Sequence, residues 1–174
     1  MLDQANLVAE QIVRLKRHYG VSEVVADMSL SEADRVILNR DLFQEFGIDG
    51  EVGKLTQPIV YLENGVTLYI EKTEAMWVVD VNSSSFSGNF DKAETVFRVN
   101  QSVLKEILRQ IRLRQMSGLI VIDFIGGMKD AGQEELLLEM EQLIKQEQLT
   151  TQIAEFSKSG LMQLTRKKKN SFSA

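Results

Sequence analysis

Cysteine is absent from this 174-residue chain, and histidine and proline occur once each. Without cysteine there is no disulfide scaffold and no structural zinc of the Cys or Cys/His kind, so a bound metal would be held by oxygen. Long hydrophobic runs are missing too. None approaches the roughly 20 residues needed to span a bilayer, and the amino terminus lacks a basic region followed by a sustained apolar core. A membrane partner is therefore not expected, and a bacterial-type cytoplasmic location is. Nor is there a surplus of positive charge. Lys plus Arg number 20 against 25 Asp plus Glu, a net charge of −5, so nucleic-acid binding would have to rely on a local basic stripe. What is present is a hydrophobic content of 44%, ordinary for a soluble globular protein with a real core.

The first part of the chain reads as helix, strand, helix. Leu7, Val8, Ile12 and Leu15 fall at helical spacing between Asp3 and Tyr19, and Gly20 supplies a stop. His18, at that helix end, is most simply a C-terminal charge partner. Val21 to Ala26 reads as a strand, and Ser31 before Glu32 and Asp34 as the capped start of a helix to about Arg40. Gly47, Gly50 and Gly53 followed by Pro58 place a boundary there, giving segments 1–58 and 59–174. Beyond it, Asn64-Gly65 between two apolar runs signals a β-hairpin. A strand carrying Asp80, a polar loop, a helix from about Asp91 to Gln115 and a strand carrying Asp123 follow in order. That βαβ unit predicts an α/β fold with the two strands parallel and both aspartates toward the carboxyl edge of the sheet. A helix over roughly 133–148 and a strand from Thr151 to Phe156 complete the pattern, and the end from Arg166 reads as polar and frayed.

Asp80 and Asp123 each stand sixth in a short apolar run, Ala75 to Asn82 and Gly118 to Ile125. A carboxylate among Val and Ile must be neutralised, hydrogen-bonded or bound to a cation, and two at matching positions suggest one shared divalent metal. By period-two alternation Asn82 shares the face of Asp80 and could orient a carboxylate or a metal-bound water. The plainer reading makes Asp80 and Asn82 a turn and Asp123 a backbone-bonded carboxylate. Arg98, Lys105, Arg109 and Arg112 line one face of the long helix and could follow a phosphate backbone, although a solvated face is the simpler account. Trp77 and Tyr69 are most economically packing residues, while an exposed aromatic beside the trio could stack a base. Lys167, Lys168 and Lys169 are a weak phosphate-contact signal.

Taken in order, several motifs resemble the catalytic region of the ribonuclease E/G family of bacterial endoribonucleases. They are Thr73-Glu-Ala75, Asp80-Val-Asn-Ser83, Glu94-Thr95 with Phe97 and Asn100, Arg109 to Arg114, Gly118 to Ile125, and Phe156 to Leu161. The resemblance implies a deoxyribonuclease-I-like subdomain over 59–174, a mixed sheet containing the βαβ unit. A partial ribonuclease-H-like α/β segment would precede it over 1–58. It implies Mg²⁺ bound by Asp80 and Asp123, with Asn82 as the third catalytic residue, and RNA contacts at Arg109, Arg112 and Lys158. In the family the metal activates water to cut single-stranded RNA, leaving a 5′-phosphate and a 3′-hydroxyl. Such chemistry needs neither histidine nor cysteine.

The departures from the family's pattern carry expectations of their own. The family's upstream RNA-binding barrel and 5′-monophosphate pocket find no room here, which makes the chain a fragment or a short relative. The zinc-link cysteine pair is missing, so a homo-oligomer would form without a zinc link. Gly126 stands where another acidic residue is usual, and Ser85 and Thr150 where arginines are. Fewer cations imply weaker RNA binding. The expected function is a Mg²⁺-dependent endoribonuclease-type domain. The alternatives are a catalytically weakened RNA-binding or scaffold module of the same fold, and a phosphatase or nucleotide hydrolase using the same two carboxylates.

Overall fold

The computed structural model describes residues 4–38, 40–83, 92–146 and 150–167, and the chain divides into two compact units, Met1–Lys54 and Leu55–Ala174. The first unit opens with α1, Gln4–Tyr19, which ends where Gly20 takes up φ +63, a conformation that favours glycine. Two short strands follow, β1 (Val25–Ala26) and β2 (Arg35–Val36), paired in parallel. The strand expected from Val21 is thus reduced to two residues, and the helix expected after Ser31 does not form. Asp34 explains the difference. Its carboxylate accepts hydrogen bonds from Lys16 Nζ and from the Val24 N–H, each at 2.8 Å, while its own N–H donates to the Val24 carbonyl at 2.9 Å. Non-local partners outweigh the local capping signal.

The glycine-rich stretch is equally instructive. Two short helices lie there, α2 (Leu42–Glu45) just before Gly47 and α3 (Ile48–Lys54) just after it, with Gly50 and Gly53 inside α3. Asp41 caps α2 by accepting the Gln44 N–H at 3.1 Å. The division between the units therefore falls after Lys54, and Pro58 belongs to the second unit, where its carbonyl accepts the Ile70 N–H.

The second unit runs β3 (Ile59–Tyr61), β4 (Val66–Lys72), β5 (Met76–Ser83), α4 (Lys92–Leu113), β6 (Gly118–Asp123), α5 (Asp130–Gln146), β7 (Thr151–Phe156) and β8 (Leu161–Arg166). One six-stranded mixed sheet has the order β3-β4-β5-β6-β8-β7. The Asn64-Gly65 hairpin forms as its sequence dictates. Gly65 takes φ +77, and Asn64 Oδ1 accepts the Val66 N–H at 3.2 Å. The β5–α4–β6 crossover makes β5 and β6 parallel neighbours, as the βαβ pattern requires.

The sheet has two unlike faces because its strands alternate. Val66, Leu68, Ile70, Val79, Val81, Ile120, Ile122, Met162 and Leu164 are buried in one core with Leu104, Ile107, Leu108 and Ile111 of α4 and Leu136 and Met140 of α5. Each fully buried side chain of this kind contributes about 1.5–3 kcal/mol, so this cluster holds the unit together. The residues between them on the strands, such as Val78, Asp80, Val121 and Asp123, are half-buried or exposed on the other face. No helix among the described residues is long and apolar enough to cross a membrane.

At the carboxyl end the sequence reading needs correction. Leu161–Arg166 form β8, with Met162 and Leu164 buried in alternation with Gln163 and Thr165, and this strand is inserted between β6 and β7. Arg166 is no frayed residue: its guanidinium donates to the carbonyls of Ile111 and Met116 at 3.0 and 2.8 Å. Lys168, Lys169 and the residues after them lie outside the described residues, as does Ser85.

Candidate functional site

Thr73 is where the geometry begins. Its hydroxyl accepts the Met76 N–H at 3.0 Å and donates to the Met76 carbonyl at 2.9 Å, closing the turn between β4 and β5. That turn sets the antiparallel register, in which Tyr69 stands opposite Asp80 and Thr67 opposite Asn82. On the other side of β5, the parallel register with β6 places Asp80 directly beside Asp123, and β8 places Leu161 beside Asp123. One row of side chains on one face therefore reads Tyr69, Asp80, Asp123, Leu161, with about 4.8 Å between neighbouring strands.

The two aspartates do not sit in the core. Asp80 is half-buried and Asp123 exposed, because both alternate onto the face opposite to the one that α4 and α5 cover. The expectation of charges enclosed by Val and Ile is corrected accordingly: their informative property is adjacency. Like charges directly opposite one another on neighbouring strands destabilise a sheet, by roughly 0.2–1 kcal/mol. Among the described residues neither carboxylate makes an ion pair. Asn82 Nδ2 donates to Asp80 Oδ2 at 2.6 Å, which fixes that carboxylate and leaves its other oxygen available.

Two adjacent carboxylates with an orienting amide fit a hard divalent cation. The donors are all oxygen, and Mg²⁺ characteristically takes one or two protein carboxylates, leaving its other positions to water and phosphate oxygens. No group of three or more His, Cys, Asp or Glu able to hold a metal occurs among the described residues, so among them the pair has no third such partner. Gly126 contributes no third acid. A Cβ there would meet only the Ser159 carbonyl, at 4.0 Å, so space alone does not require glycine.

The edge of the site is anchored by a residue whose part is not evident from its motif. Asn100 is fully buried on α4; its Nδ2 donates to the Ile125 carbonyl at 2.8 Å and its Oδ1 accepts the Ile125 N–H at 3.0 Å. The backbone two residues after Asp123 is thereby clamped. A polar side chain within the apolar stripe Val96, Val99, Val103 was the available signal. Gly160, with φ +97, packs its backbone against Phe124 from the β7–β8 turn, and Phe124 N–H donates to its carbonyl at 3.1 Å.

The basic residues singled out in the sequence separate in space. Lys158 is exposed on the β7–β8 turn, at the same sheet edge as Asp123, and Gln133 Nε2 holds its carbonyl at 3.0 Å. Arg109 and Arg112 stand in the last turns of α4, which runs back from the end of β5 to the start of β6. They therefore lie toward the opposite edge and on the helix-covered side, with Arg109 bonded to Glu106 at 3.1 Å. The two aromatics separate as well. Trp77 alternates onto the helix face, with Lys72 Nζ 5.4 Å from its ring, whereas Tyr69 shares the face of the aspartates.

Comparison with known proteins agrees with the motif order. The family model described as Ribonuclease E/G family matches residues 5–169. Ribonuclease G of Escherichia coli is 32% identical over 147 residues, 84% of this chain and 30% of the relative. Ribonuclease G of Haemophilus influenzae is 29% identical over 85% of this chain and 31% of its own length. Ribonuclease E of Synechocystis is 35% identical over 73% of this chain and 19% of its own. The chain thus spans less than a third of the length of these curated relatives.

Proposed function

The chain belongs to the ribonuclease E/G family, and on that footing we propose that its second unit is a Mg²⁺-dependent endoribonuclease-type domain acting on single-stranded RNA. The observation that carries this reading is the register pairing of Asp80 with Asp123. These two carboxylates would hold the cation, and Asn82 would keep Asp80 oriented through the 2.6 Å hydrogen bond. Held by these carboxylates, a divalent cation would supply Lewis acidity toward water and the phosphodiester near neutral pH. Lys158, exposed at the same edge, would meet a neighbouring phosphate; Arg109 and Arg112 would serve only a strand that continues around to the far edge. Their role as RNA contacts stays part of the proposal.

The test is cleavage of a 5′-monophosphorylated, AU-rich single strand in Mg²⁺. The chain should cut it, and chelation should stop the reaction. Asp80→Asn and Asp123→Asn should each lower the rate by about a hundredfold or more, the scale of several kcal/mol of charge stabilisation. Unchanged rates in both variants overturn the reading.

A second reading, a binding or scaffold module of the same fold with weakened catalysis, is favoured by Gly126, which leaves the carboxylate pair without a third acid beside it. It gains if millimolar Mg²⁺ fails to raise the melting temperature while RNA still binds.

A further inference from the structure

Tyr69 is the register partner of Asp80 on β4, as Asp123 is on β6, so the ring and the two carboxylates occupy one row of the uncovered sheet face. It is 39% exposed, on the face opposite to that of its buried strand neighbours Leu68 and Ile70. Among the described residues no hydrogen bond holds its hydroxyl, so a polar anchor does not account for the exposure. One row along, on the same face, Tyr61 of β3 pairs with Thr67 and is 78% exposed. Tyr61 and Tyr69 are thus diagonal neighbours across β3 and β4, with about 7–8 Å between their backbones.

We propose that Tyr69, extended by Tyr61, is a base-stacking platform that holds nucleotides of single-stranded RNA beside the Asp80–Asp123 pair. This rests on the reading of that pair as the site where an RNA strand is cut. The chemistry follows from what the face offers. A net charge of −5 and two adjacent carboxylates repel phosphates, so affinity here cannot come from charge alone. Stacking on aromatic rings is indifferent to charge and tolerant of sequence, because every base presents a π-face. A ring in register with the carboxylates also sets how far along the strand the phosphate next to a stacked base reaches. Tyr69 would thereby be a positioning residue, setting which phosphodiester, counted from a stacked base of any identity, reaches the carboxylates.

The experiment measures binding of a fluorescein-labelled oligo-uridine strand to the full chain, once in chelator and once with Ca²⁺ in place of Mg²⁺. Tyr69→Ala should weaken binding about tenfold, and Tyr69→Phe should bind as the unchanged protein does. An abasic nucleotide walked along the strand should weaken binding to the unchanged protein at one or two positions, and that loss should vanish in Tyr69→Ala. A residue needed only for folding would not show this coupling to a single missing base. Equal binding by Tyr69→Ala, equal losses in the Ala and Phe variants, an abasic scan without coupling, or no binding by the unchanged protein each overturn the proposal. Its failure is separable from that of the cleavage reading. Coupling to Tyr69 with cleavage untouched by Asp80→Asn and Asp123→Asn sinks only the metal site, whereas metal-dependent cleavage without coupling sinks only the platform.

Discussion

Asp80 and Asp123 are partners in the parallel register of β5 and β6, and two carboxylates are thereby set side by side on adjacent strands, with no basic side chain paired to either among the described residues. Such an arrangement is unfavourable for an isolated sheet and favourable for one that takes up a cation.

Asp123→Asn should therefore stabilise the protein when metal is chelated. Removing one of two facing charges relieves roughly 0.2–1 kcal/mol, a rise in melting temperature of up to about 3 °C. Added Mg²⁺ should raise the melting temperature of the unchanged protein and leave that of the variant where it was. A variant that melts several degrees lower in chelator would mean that Asp123 has a structural task instead.

Asn100→Leu should lower stability by about 1–3 kcal/mol, because the Ile125 N–H and carbonyl lose the amide that satisfies both. The Ile125 amide should also exchange its hydrogen faster than the amides of β6. Chemical denaturation and hydrogen exchange read the two effects, and an unmoved midpoint would contradict the clamp.

Gly160→Ala tests the support of the site edge from the other side. An added Cβ would lie 3.1 Å from the Phe124 carbonyl oxygen in a backbone with φ +97. Strain of this kind costs about 1–3 kcal/mol, which should appear as a lower denaturation midpoint. A midpoint equal to that of the unchanged protein would show that the turn can shift away from β6 without penalty.

Asp34 should give the first unit a pH dependence of its own. A hydrogen bond from Lys16, then one from the Val24 N–H, hold its carboxyl below the usual carboxylate range. A pKa depressed by folding contributes stability that is complete above the unfolded value and is lost as pH falls through the folded one. The Val24 amide should therefore lose protection only in strong acid. In Lys16→Met, Asp34 should titrate closer to an ordinary aspartate, as carboxyl chemical shifts would reveal; an unaltered titration would remove Lys16 as the cause.

Much of the second unit was legible because its signals are local. The Asn64-Gly65 turn, the apolar runs of β5 and β6 and the helical stripe of α4 each follow from the stereochemistry of neighbouring residues. The parallel pairing of β5 with β6 needed only the crossover rule in addition. The helix expected after Ser31 was lost to partners on other segments, Lys16 and Val24. β8 was missed although Met162 and Leu164 alternate with polar residues, because two apolar positions in a six-residue run are a weak local signal and only pairing with β6 and β7 makes it a strand.

By itself the sequence determined which residues could carry the chemistry: a chain without cysteine and with one histidine has oxygen donors to offer a metal, Asp80 and Asn82 are spaced to share a strand face, and Asp123 stands at the matching point of a second apolar run. Tertiary structure alone decided that the aspartates stand beside each other on the uncovered face, that Tyr69 and not Trp77 is their aromatic neighbour, and that Lys158 is nearer to them than Arg109 or Arg112. Alternation along a strand is a property of one segment, whereas register and the choice of face depend on which segments pair and which face the helices bury.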